Sequence, residues 1–469
     1  MPFTAYDPTT GLFTASHPTL DAAQRDRMLS RVHRLQGEWR RLTVPQRTVW
    51  VKALGAALRV HREPLALALT QEMGKPIVAA RAEVDKCASL CEVAPSLAAL
   101  SLENDTLIDD AEVHVELRYA PLGTVLAIMP WNFPYWQALR FAIPTLLAGN
   151  GVIIKPAPSV PTSGLILAQC LRDADIAASQ QGAAAAPCDI AFIEQFDIDD
   201  VIADERIVGV TLTGSDRAGR HVAQVAGAHL KKVVLELGGS DPFIVLSDAD
   251  VERAATVAVL ARTVNSGQSC IAAKRFIVCD AAYDAFVTRF VEGMRALVVG
   301  DPRHERTQVG PIATQAVRDG LADQVRRSIA NGARAILGGD DTRQPGFFYP
   351  PTVLVDIPDG APAACEELFG PVASVFRVRD VDEAVARAND SPFGLGASVW
   401  TSSARDAEHC IAELDAGMVF VNDMVVSDPR YPFGGVKQSG VGRELGPLGF
   451  REFTNQQTVR FLHPQSLQR

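Results

Sequence analysis

Apolar positions repeat with two different periods along the chain, and the change of period divides it into regions. From residue 19 to residue 100 they recur every three or four positions, for example in LSRVHRLQGEWRRL, and this spacing predicts amphipathic helices. The stretch AEVHVELRYAPLG (111–123) alternates in twos and predicts a strand. We therefore expect a helical N-terminal region that is followed by a β-strand.

After residue 123 the chain alternates short apolar runs with helical segments. TVLAIMP, GVIIKP, IVGVTLTGS and KVVLELGG form a first series, and RFIVCD, RAILGG, ASVFRV, GASVWT and GMVFVN form a second. Near-continuous hydrophobicity is typical of parallel strands that helices cover on both faces. The pattern thus predicts an α/β protein with two sheet-containing units. Ligands of such sheets bind beyond the carboxyl ends of the strands, so the polar residues after these runs are candidates for function.

Composition narrows the classes of function. The chain has 469 residues, more than a single core usually serves, and its net charge of −10 disfavours nucleic acid as a partner. No run of about 18 apolar residues predicts a membrane span, and the N-terminus lacks the pattern of a secretory signal. The eight cysteines include no CxxC pair, so we expect reduced thiols in the cytoplasm and no metal site.

Two residues could carry covalent chemistry. Cys270 lies in VNSGQSCIAAKRF, behind a Gly-Gln-Ser turn that would expose the sulfur, and a thiolate there could act as a nucleophile. Most free cysteines are small buried residues, and that alternative stays open from this stretch alone. Glu236 ends the apolar run VVLE, where burial would raise the pKa of the carboxyl group and suit a general base. A glutamate that caps the next turn is the alternative.

Three further segments place polar groups directly after predicted strands. Asn132 in IMPWNFPYWQALR offers a rigid amide for an oxyanion hole, or is an ordinary turn asparagine. Lys155 in IIKPAPS could hold a ribose hydroxyl or a phosphate. Gly214 and Ser215 in TLTGSDRAG lead into a helix whose first N–H groups could bind pyrophosphate, although the segment is not a GxGxxG motif. Each segment alone is ambiguous, whereas their joint order is specific.

Nearly the whole chain resembles the aldehyde dehydrogenases. The motifs MPWNFP, KPAP, LTGS, LELGGSDPF, NSGQSC, EELFGPV and PFGGVKQSGVGRE occur in that family's order and spacing, and TLTGSDRAG and EFTNQQTV are most similar to its short succinate-semialdehyde dehydrogenase branch. The resemblance implies a Rossmann-like cofactor domain (1–101 and 124–236), a second α/β catalytic domain (237–430) and a small β oligomerisation element (102–123 and 445–469). It also implies a homodimer or a dimer of dimers.

The resemblance assigns roles to the matching positions. Cys270 matches the nucleophile, Glu236 the general base and Asn132 the oxyanion-hole amide, for an oxidation of an aldehyde to an acid through a thiohemiacetal and a thioester. Lys155 matches the residue that holds the adenosine ribose, Ser215 the pyrophosphate contact, and Glu367 the grip on the nicotinamide ribose. The full cofactor set that we expect is Pro130, Trp131, Lys155, Pro158, Ser159, Gly214, Ser215, Leu237, Glu367 and Phe369.

The predicted substrate contacts point to an aldehyde with a second, negatively charged end. Arg140 lies eight residues after Asn132, where semialdehyde-oxidising relatives carry an arginine for the far carboxylate, and Ser427 fits a further anchoring position. A second arginine of the longer relatives is replaced by Val264, and Arg262 could substitute for it. Succinate semialdehyde is the first expectation; glutarate semialdehyde or an uncharged aliphatic aldehyde are alternatives.

The expected cofactor is NADP or NAD, with a slight preference for NADP. NAD-preferring relatives carry a glutamate three residues after the lysine, whereas this chain has Pro158 followed by Ser159. Without that carboxylate, a 2′-phosphate meets no repulsion and has Lys155 as a counter-charge. A thioesterase that uses Cys270 and Glu236 without a cofactor is the remote alternative, since it would have no need of Glu367.

Overall fold

Two parallel sheets organise most of the chain, which a computed structural model describes over residues 2–340 and 345–463. The helices of these ranges are α1 Ala22–Trp39, α2 Val44–Val60, α3 Arg62–Met73, α4 Ile77–Ser101, α5 Trp136–Leu147, α6 Pro161–Ser179, α7 Ile198–Ala203, α8 Asp216–Ala228, α9 Val251–Thr263, α10 Asp280–Arg295, α11 Gln315–Ala330, α12 Pro362–Cys365, α13 Val381–Asn389, α14 Ala404–Glu413 and α15 Gly446–Arg451. None of them is long and apolar enough to cross a membrane.

The strands of the described ranges follow the predicted order. They are β1 Phe3–Asp7, β2 Leu12–His17, β3 Asp105–Asp109, β4 Val113–Pro121, β5 Thr124–Ile128, β6 Gly151–Lys155, β7 Cys188–Ile190, β8 Ile207–Thr213, β9 Lys232–Glu236, β10 Pro242–Val245, β11 Arg275–Cys279, β12 Arg334–Leu337, β13 Thr352–Val355, β14 Val372–Val378, β15 Phe393–Gly394, β16 Gly396–Trp400, β17 Met418–Val421, β18 Val436–Lys437, β19 Gly440–Val441 and β20 Thr454–Leu462.

The helical region expected at 19–100 is confirmed as α1 to α4, and its helix starts follow from local chemistry. Asp21 and Gln24 form a capping box before α1, in which each side chain accepts a hydrogen bond from the other residue's backbone N–H. Thr43 and Gln46 repeat the arrangement at α2. Because the first N–H groups of a helix have no partner within it, these side chains mark where the two helices begin.

The first sheet has the strand order β19-β9-β8-β5-β6-β7, and only its edge strand β19 is antiparallel to its neighbour. In the register, Ile128 lies opposite both Lys155 and Leu212, and Thr213 lies opposite Glu236. The strands therefore end at one level, and the segments that follow them meet along one edge of the sheet.

The second sheet has the order β12-β13-β14-β11-β10-β16-β17, and only β12 is antiparallel. A cluster of aromatic rings packs one face: Phe276 lies 4.6 Å from Phe290, and Phe243 stacks 5.6 Å from Trp400 between ring centroids. Such offset rings bury large apolar areas. This packing supports the strands on either side of the turn that carries Cys270.

A third, antiparallel sheet is formed by β20, β4 and β3, with β20 paired along the whole of β4 from Thr454–Pro121 to Leu462–Val113. The strand expected at 111–123 is thus confirmed as β4. The domain limits drawn from the sequence stay a prediction. Residues 431–444, outside those limits, form β18 and β19, and β19 joins the first sheet beside Glu236.

Candidate active site

The turn before Cys270 has an unusual backbone. Asn265 and Ser266 have φ values of 53° and 58°, and Gly267 follows at 78°, so three successive residues adopt the left-handed conformation. Such a run costs free energy in L-residues unless the surroundings impose it. A Cβ on Gly267 would lie 2.3 Å from the Gly370 carbonyl, so only glycine fits there.

Side chains hold this turn in place. Ser266 Oγ accepts a hydrogen bond of 2.9 Å from the Gly310 N–H, and Gln268 Oε1 accepts one of 2.9 Å from Ala313. Lys274 Nζ donates to the carbonyls of both Ser269 and Cys270 at 2.7 Å. The turn is therefore a rigid support for the thiol.

Lys274 also links the nucleophile to the expected cofactor side. Its ammonium lies 3.2 Å from a carboxylate oxygen of Glu367, which in turn accepts a hydrogen bond from the Gly239 N–H at 3.2 Å. Lys274 is buried, and such a charge is tolerated only with acceptors on several sides. The position of Glu367 is thus coupled to that of Cys270.

The Cys270 thiol is protonated at neutral pH. Burial raises the pKa of this thiol to about 12, against smaller opposing effects of the Arg140 and Lys274 charges. The carboxyl groups of Glu236 and Glu367 act in the same direction as burial. Since the thiolate is the nucleophile, reaction requires a base that accepts the proton.

Glu236 has the properties of such a base. It ends β9, its side chain is buried, and neither of its carboxyl oxygens has a partner among the described residues. Burial raises the pKa of this carboxyl well above its usual range, and the nearby Glu444 adds to the effect while the Arg140 and Arg443 charges oppose it. A buried carboxyl with no donor favours the neutral form and accepts a proton readily once it is ionised.

Asn132 reaches the same turn from β5. Its Nδ2 donates to the Gln268 carbonyl at 3.1 Å, which leaves the second amide hydrogen for another acceptor. The Asn132 carbonyl accepts two further bonds of 2.9 Å, from Lys75 Nζ and from Asn265 Nδ2. The amide that is predicted for the oxyanion hole is thus fixed against the nucleophile turn.

A buried ion pair anchors the loop that carries Asn132. Lys75 pairs with Glu83, whose other oxygen accepts the N–H groups of Tyr135 and Trp136 at 3.0 Å. The Lys75 ammonium also lies 3.8 Å from the centroid of the Phe133 ring. Glu83 of α4 and Lys75, two residues before that helix, therefore hold this loop at both of its ends.

A cavity of about 260 Å³ opens on Cys270 and collects most of the expected cofactor residues. Trp131 and Phe369 meet edge to face at 5.7 Å between ring centroids on its wall. Ser215 is the N-cap of α8, so the N-terminus of that helix, which favours anions, lies at this cavity. The lining residues are Pro130, Trp131, Asn132, Gln137, Thr213, Gly214, Ser215, Leu237, Gly238, Cys270, Val317, Glu367 and Phe369.

These residues fit a dinucleotide. Thr213 Oγ1 is buried without a hydrogen-bond partner in the described part of the chain, next to the N-terminus of α8. A Cβ on Gly238 would lie 2.8 Å from a Glu367 oxygen, so the absence of a side chain keeps that carboxylate in the cavity. The donors and the open wall suit a pyrophosphate and a nicotinamide ribose.

Two of the three remaining cofactor positions line a neighbouring cavity of about 770 Å³. Pro158 and Ser159 lie on its wall, and the Pro158 carbonyl accepts a bond of 2.9 Å from the Thr4 N–H of β1. Lys155 lies beside this wall, 5.3 Å from the Phe3 ring centroid, and burial lowers the pKa of its ammonium to about 8. The N-terminal hairpin thus shapes the region that is predicted to receive the adenosine ribose.

Arg140 has an unexpected partner. Its Nε donates to Glu444 at 2.5 Å, both side chains are buried, and the guanidinium lies 4.3 Å from the Phe433 ring centroid. Its Nη2 has no partner among the described residues. Its charge lowers the pKa of both Cys270 and Glu236. The expected substrate contact therefore rests on Nη2.

The other two predicted substrate residues differ in placement. Ser427 Oγ accepts a bond of 3.1 Å from the Trp136 indole N–H, on the same helix as Arg140. The structure corrects the expectation for Arg262, which is fully buried and donates to the carbonyls of Val372 at 3.2 Å and Gly267 at 2.8 Å. Its donors support the nucleophile turn, so it does not replace the cation that is missing at Val264.

Four residues of the site were not found from the sequence. Glu444 stands in the quoted motif PFGGVKQSGVGRE, and Lys274 lies four residues after Cys270, so proximity was an available signal for both. Lys75 and Glu83 lie more than 45 residues before Asn132 and carry no local signal. Only the packing of α4 under the Asn132 loop brings them to it.

Comparisons with known proteins agree with the family resemblance of the sequence. The aldehyde dehydrogenase family matches residues 1–459. A succinate-semialdehyde dehydrogenase [NADP(+)] of Mycolicibacterium paratuberculosis is 44% identical over 465 residues, 98% of this chain and 96% of the relative. A succinate semialdehyde dehydrogenase [NAD(P)+] of Escherichia coli is 46% identical over 423 residues, 90% of each chain.

Solved structures agree in fold. The crystal structure of succinic semialdehyde dehydrogenase from Streptococcus pyogenes, in complex with NADP+, superimposes with a TM-score of 0.91 at 33% identity. The match covers 98% of this chain and all of the other. Identity at this level over the full length extends the similarity from the fold to the family.

Proposed function

The chain belongs to the aldehyde dehydrogenase family, and on that basis we propose that it oxidises succinate semialdehyde to succinate, with NADP as the preferred acceptor and NAD as a second one. It is an NAD(P)-dependent aldehyde dehydrogenase that acts on a small molecule. The observation that carries the substrate proposal is Arg140. Its Nη2 has no partner among the described residues, its charge acts on both Cys270 and Glu236, and a far carboxylate would supply the acceptor that Nη2 lacks.

Addition of the thiol starts the reaction. Glu236 accepts the proton of Cys270, and the sulfur bonds to the aldehyde carbon. The aldehyde oxygen becomes an oxyanion, for which Asn132 Nδ2 and the Cys270 N–H are the proposed donors. The low accessibility of the site strengthens these bonds because water does not compete. A nicotinamide held by Glu367 and Phe369 would supply the acceptor for the hydride that leaves the thiohemiacetal carbon, and loss of that hydride leaves a thioester on Cys270.

Hydrolysis of the thioester returns the thiol. Glu236 first releases the Cys270 proton to solvent and then takes a proton from water, whose oxygen adds to the thioester carbon while the same two donors hold the second oxyanion. Collapse of that species breaks the C–S bond and releases the acid, and the leaving sulfur takes its proton from Glu236. One buried carboxyl with no fixed donor can serve both steps because it is free to exchange protons at each.

The proposed preference for NADP rests on Ser159 and Lys155. Ser159 lines the larger cavity, and Lys155 is a buried cation beside it. A 2′-phosphate would find an ammonium and a hydroxyl there, and the position three residues after the lysine, Pro158, adds no negative charge. The names of the relatives, with NADP(+) in one and NAD(P)+ in another, support this proposal.

We also propose a homodimer or a dimer of dimers, in the cytoplasm. The third sheet has Leu107, Ile108, Phe461 and Leu462 exposed, which a second copy would cover. All eight cysteines are free, and seven of them are at least partly buried, which suits a reducing compartment. Light scattering at several concentrations tests the assembly.

The proposed reaction is tested by the rate at which reduced nicotinamide forms. We expect kcat/KM for succinate semialdehyde to exceed that for butanal, which has the same carbon chain without the carboxylate. We expect NADP to exceed NAD in the same assay. Equal values for the two aldehydes would contradict the substrate proposal and leave a general aldehyde dehydrogenase. A preference for glutarate semialdehyde would correct the chain length only.

A further inference from the structure

One cation on the substrate side forms no ion pair with the residues that the structure describes. Lys86 lies on α4 and is partly buried, with its ammonium 4.0 Å from the centroid of the Trp136 ring. It forms no hydrogen bond or ion pair with any residue that the structure describes. A partly desolvated ammonium over an aromatic face is stabilised by the ring, but the ring satisfies none of its three N–H donors.

The surroundings of Lys86 belong to the predicted substrate site. Trp136 donates its indole N–H to Ser427 at 3.1 Å. Arg140 lies four residues further along α5, on the same face of the helix as Trp136. Burial, with a smaller contribution from the Arg140 charge, lowers the pKa of Lys86 to about 8, so the two cations are close enough to interact.

The carboxylates near Lys86 are already bound to other cations. Glu83 pairs with Lys75, and Asp428 pairs with Arg430 at 2.7 Å. Arg140 itself is matched by Glu444. The remaining charge of this cluster is therefore the single positive charge of Lys86, which a ligand with one negative charge would neutralise.

We propose that Lys86 binds the far carboxylate of the aldehyde substrate, together with Arg140 Nη2 and the Ser427 hydroxyl, in place of the cation that Val264 removes. This inference rests on the proposed function and adds a residue that determines specificity. Trp136 connects the three side chains, because its ring faces the Lys86 ammonium, its indole N–H donates to Ser427, and Arg140 lies one turn further along the same helix. The site selects aldehydes that carry one carboxylate over neutral ones.

The chemistry explains the selectivity. A neutral aldehyde would bury Lys86 further without a counter-charge, which is unfavourable. A carboxylate supplies acceptors for the free ammonium hydrogens and for Nη2, and such charge-assisted bonds are about twice as strong as neutral ones. Hydrogen bonds to the far carboxylate of the substrate therefore offset the free energy that is needed to remove this carboxylate from water.

The test measures kcat/KM for succinate semialdehyde and for butanal in four proteins. These are wild type, Lys86→Met, Lys86→Arg and the control Lys52→Met, which removes an exposed lysine from α2. We expect the ratio of the two values to fall about 10- to 100-fold in Lys86→Met, and to stay within about threefold in Lys86→Arg and in the control. Inhibition by succinate should weaken in Lys86→Met relative to inhibition by butyrate.

Three results would overturn the inference, and they differ from one another. An unchanged ratio in Lys86→Met, with a wild-type preference for succinate semialdehyde, removes Lys86 and leaves the proposed function intact. An equal loss with both aldehydes assigns Lys86 a structural role. A wild type that does not prefer succinate semialdehyde removes both proposals together. Lys86→Gln, with a polar head and no charge, is expected to behave like Lys86→Met and guards against a packing effect of methionine.

Discussion

Removal of the Lys75 charge is expected to destabilise the protein and to slow catalysis, although Lys75 touches neither substrate nor cofactor. Lys75 pairs with Glu83 inside the protein, with side-chain exposures of 1% and 2%. It also donates to the Asn132 carbonyl at 2.9 Å. The variant Lys75→Met keeps the length of the side chain and removes the charge and its three donors.

The magnitude follows from what remains in Lys75→Met. Loss of one partner of a buried ion pair costs about 3–5 kcal/mol, because the other charge stays buried. Glu83 retains two N–H donors, from Tyr135 and Trp136, and methionine regains apolar contact with Phe133. Both effects place the expected loss near the lower end, at about 3 kcal/mol of unfolding free energy.

The catalytic effect comes through the Asn132 loop. The carbonyl of Asn132 keeps one donor, Asn265 Nδ2, out of two. A displacement of the amide by about 1 Å from a mutation outside the site can cost about 10²-fold in rate. We therefore expect kcat to fall by about 10- to 100-fold with little change in KM, since the oxyanion contact forms only during the reaction.

The free energy of unfolding is measured by urea unfolding, which is followed by tryptophan fluorescence at one fixed protein concentration. Arg59→Met is the matched control because Arg59 and Glu92 form an ion pair at the surface. The double variant Lys75→Met/Glu83→Gln should recover part of the loss, since it leaves no unpaired charge. If Lys75→Met unfolds at the same urea concentration as Arg59→Met, the reasoning about this pair is wrong.

Four further outcomes are expected. Glu236→Gln should lower kcat by about 10²- to 10⁴-fold, the usual contribution of a general base. Glu444→Gln removes a charge that raises the pKa of Glu236, so the acidic limb of the kcat–pH profile, below which the base is protonated, should move to lower pH. Because the pKa of Cys270 is raised to about 12, alkylation of Cys270 by iodoacetamide without cofactor should keep accelerating above pH 9. Ser159→Glu should lower kcat/KM for NADP by about tenfold, or roughly 1.4 kcal/mol, and spare NAD.

Each of these has its own contrary result. The control for Glu444→Gln is Glu205→Gln, at an exposed position. If the acidic limb of the kcat–pH profile does not move in Glu444→Gln, then Glu444 does not raise the pKa of Glu236. Half-maximal alkylation near pH 7, located at Cys270 by peptide mass, would show a thiolate that is already formed. Equal losses for NADP and NAD in Ser159→Glu would indicate a disturbed fold, and a kcat close to wild type in Glu236→Gln would assign the base to another group.

Much of the fold could be predicted because its signals are local. Apolar runs bounded by glycine or proline predicted the parallel strands, and three- and four-residue spacing predicted α1 to α4, since both patterns record which side of an element is buried. Short segments such as β18 and β19 lack any such period. They form only because the loop 431–444 lies against β15 and β9, and no sequence pattern predicts those contacts.

The candidate site divides in the same way. Cys270, Glu236 and Asn132 could be singled out because each stands in a short motif that the chain shares with its family: Cys270 behind a Gly-Gln-Ser turn, Glu236 in an apolar run, and Asn132 after one. Their environment could not, since burial is a property of all the elements packed around a group. Arg140 pairs with Glu444, which lies 304 residues away in the chain. The sequence had assigned the Arg140 charge to the substrate alone, whereas within the fold Glu444 neutralises it.

The sequence by itself determined the kinds of elements, their order and the chemical groups at the ends of the strands. These depend on neighbours within a few residues of each other. The tertiary structure alone decided which charges are neutralised and which remain. Arg262 donates to backbone carbonyls, Lys75 lies beneath the Asn132 loop, and Lys86 forms no ion pair with the described residues. Electrostatic interactions act through space, so the distances that set them exist only once the chain has folded.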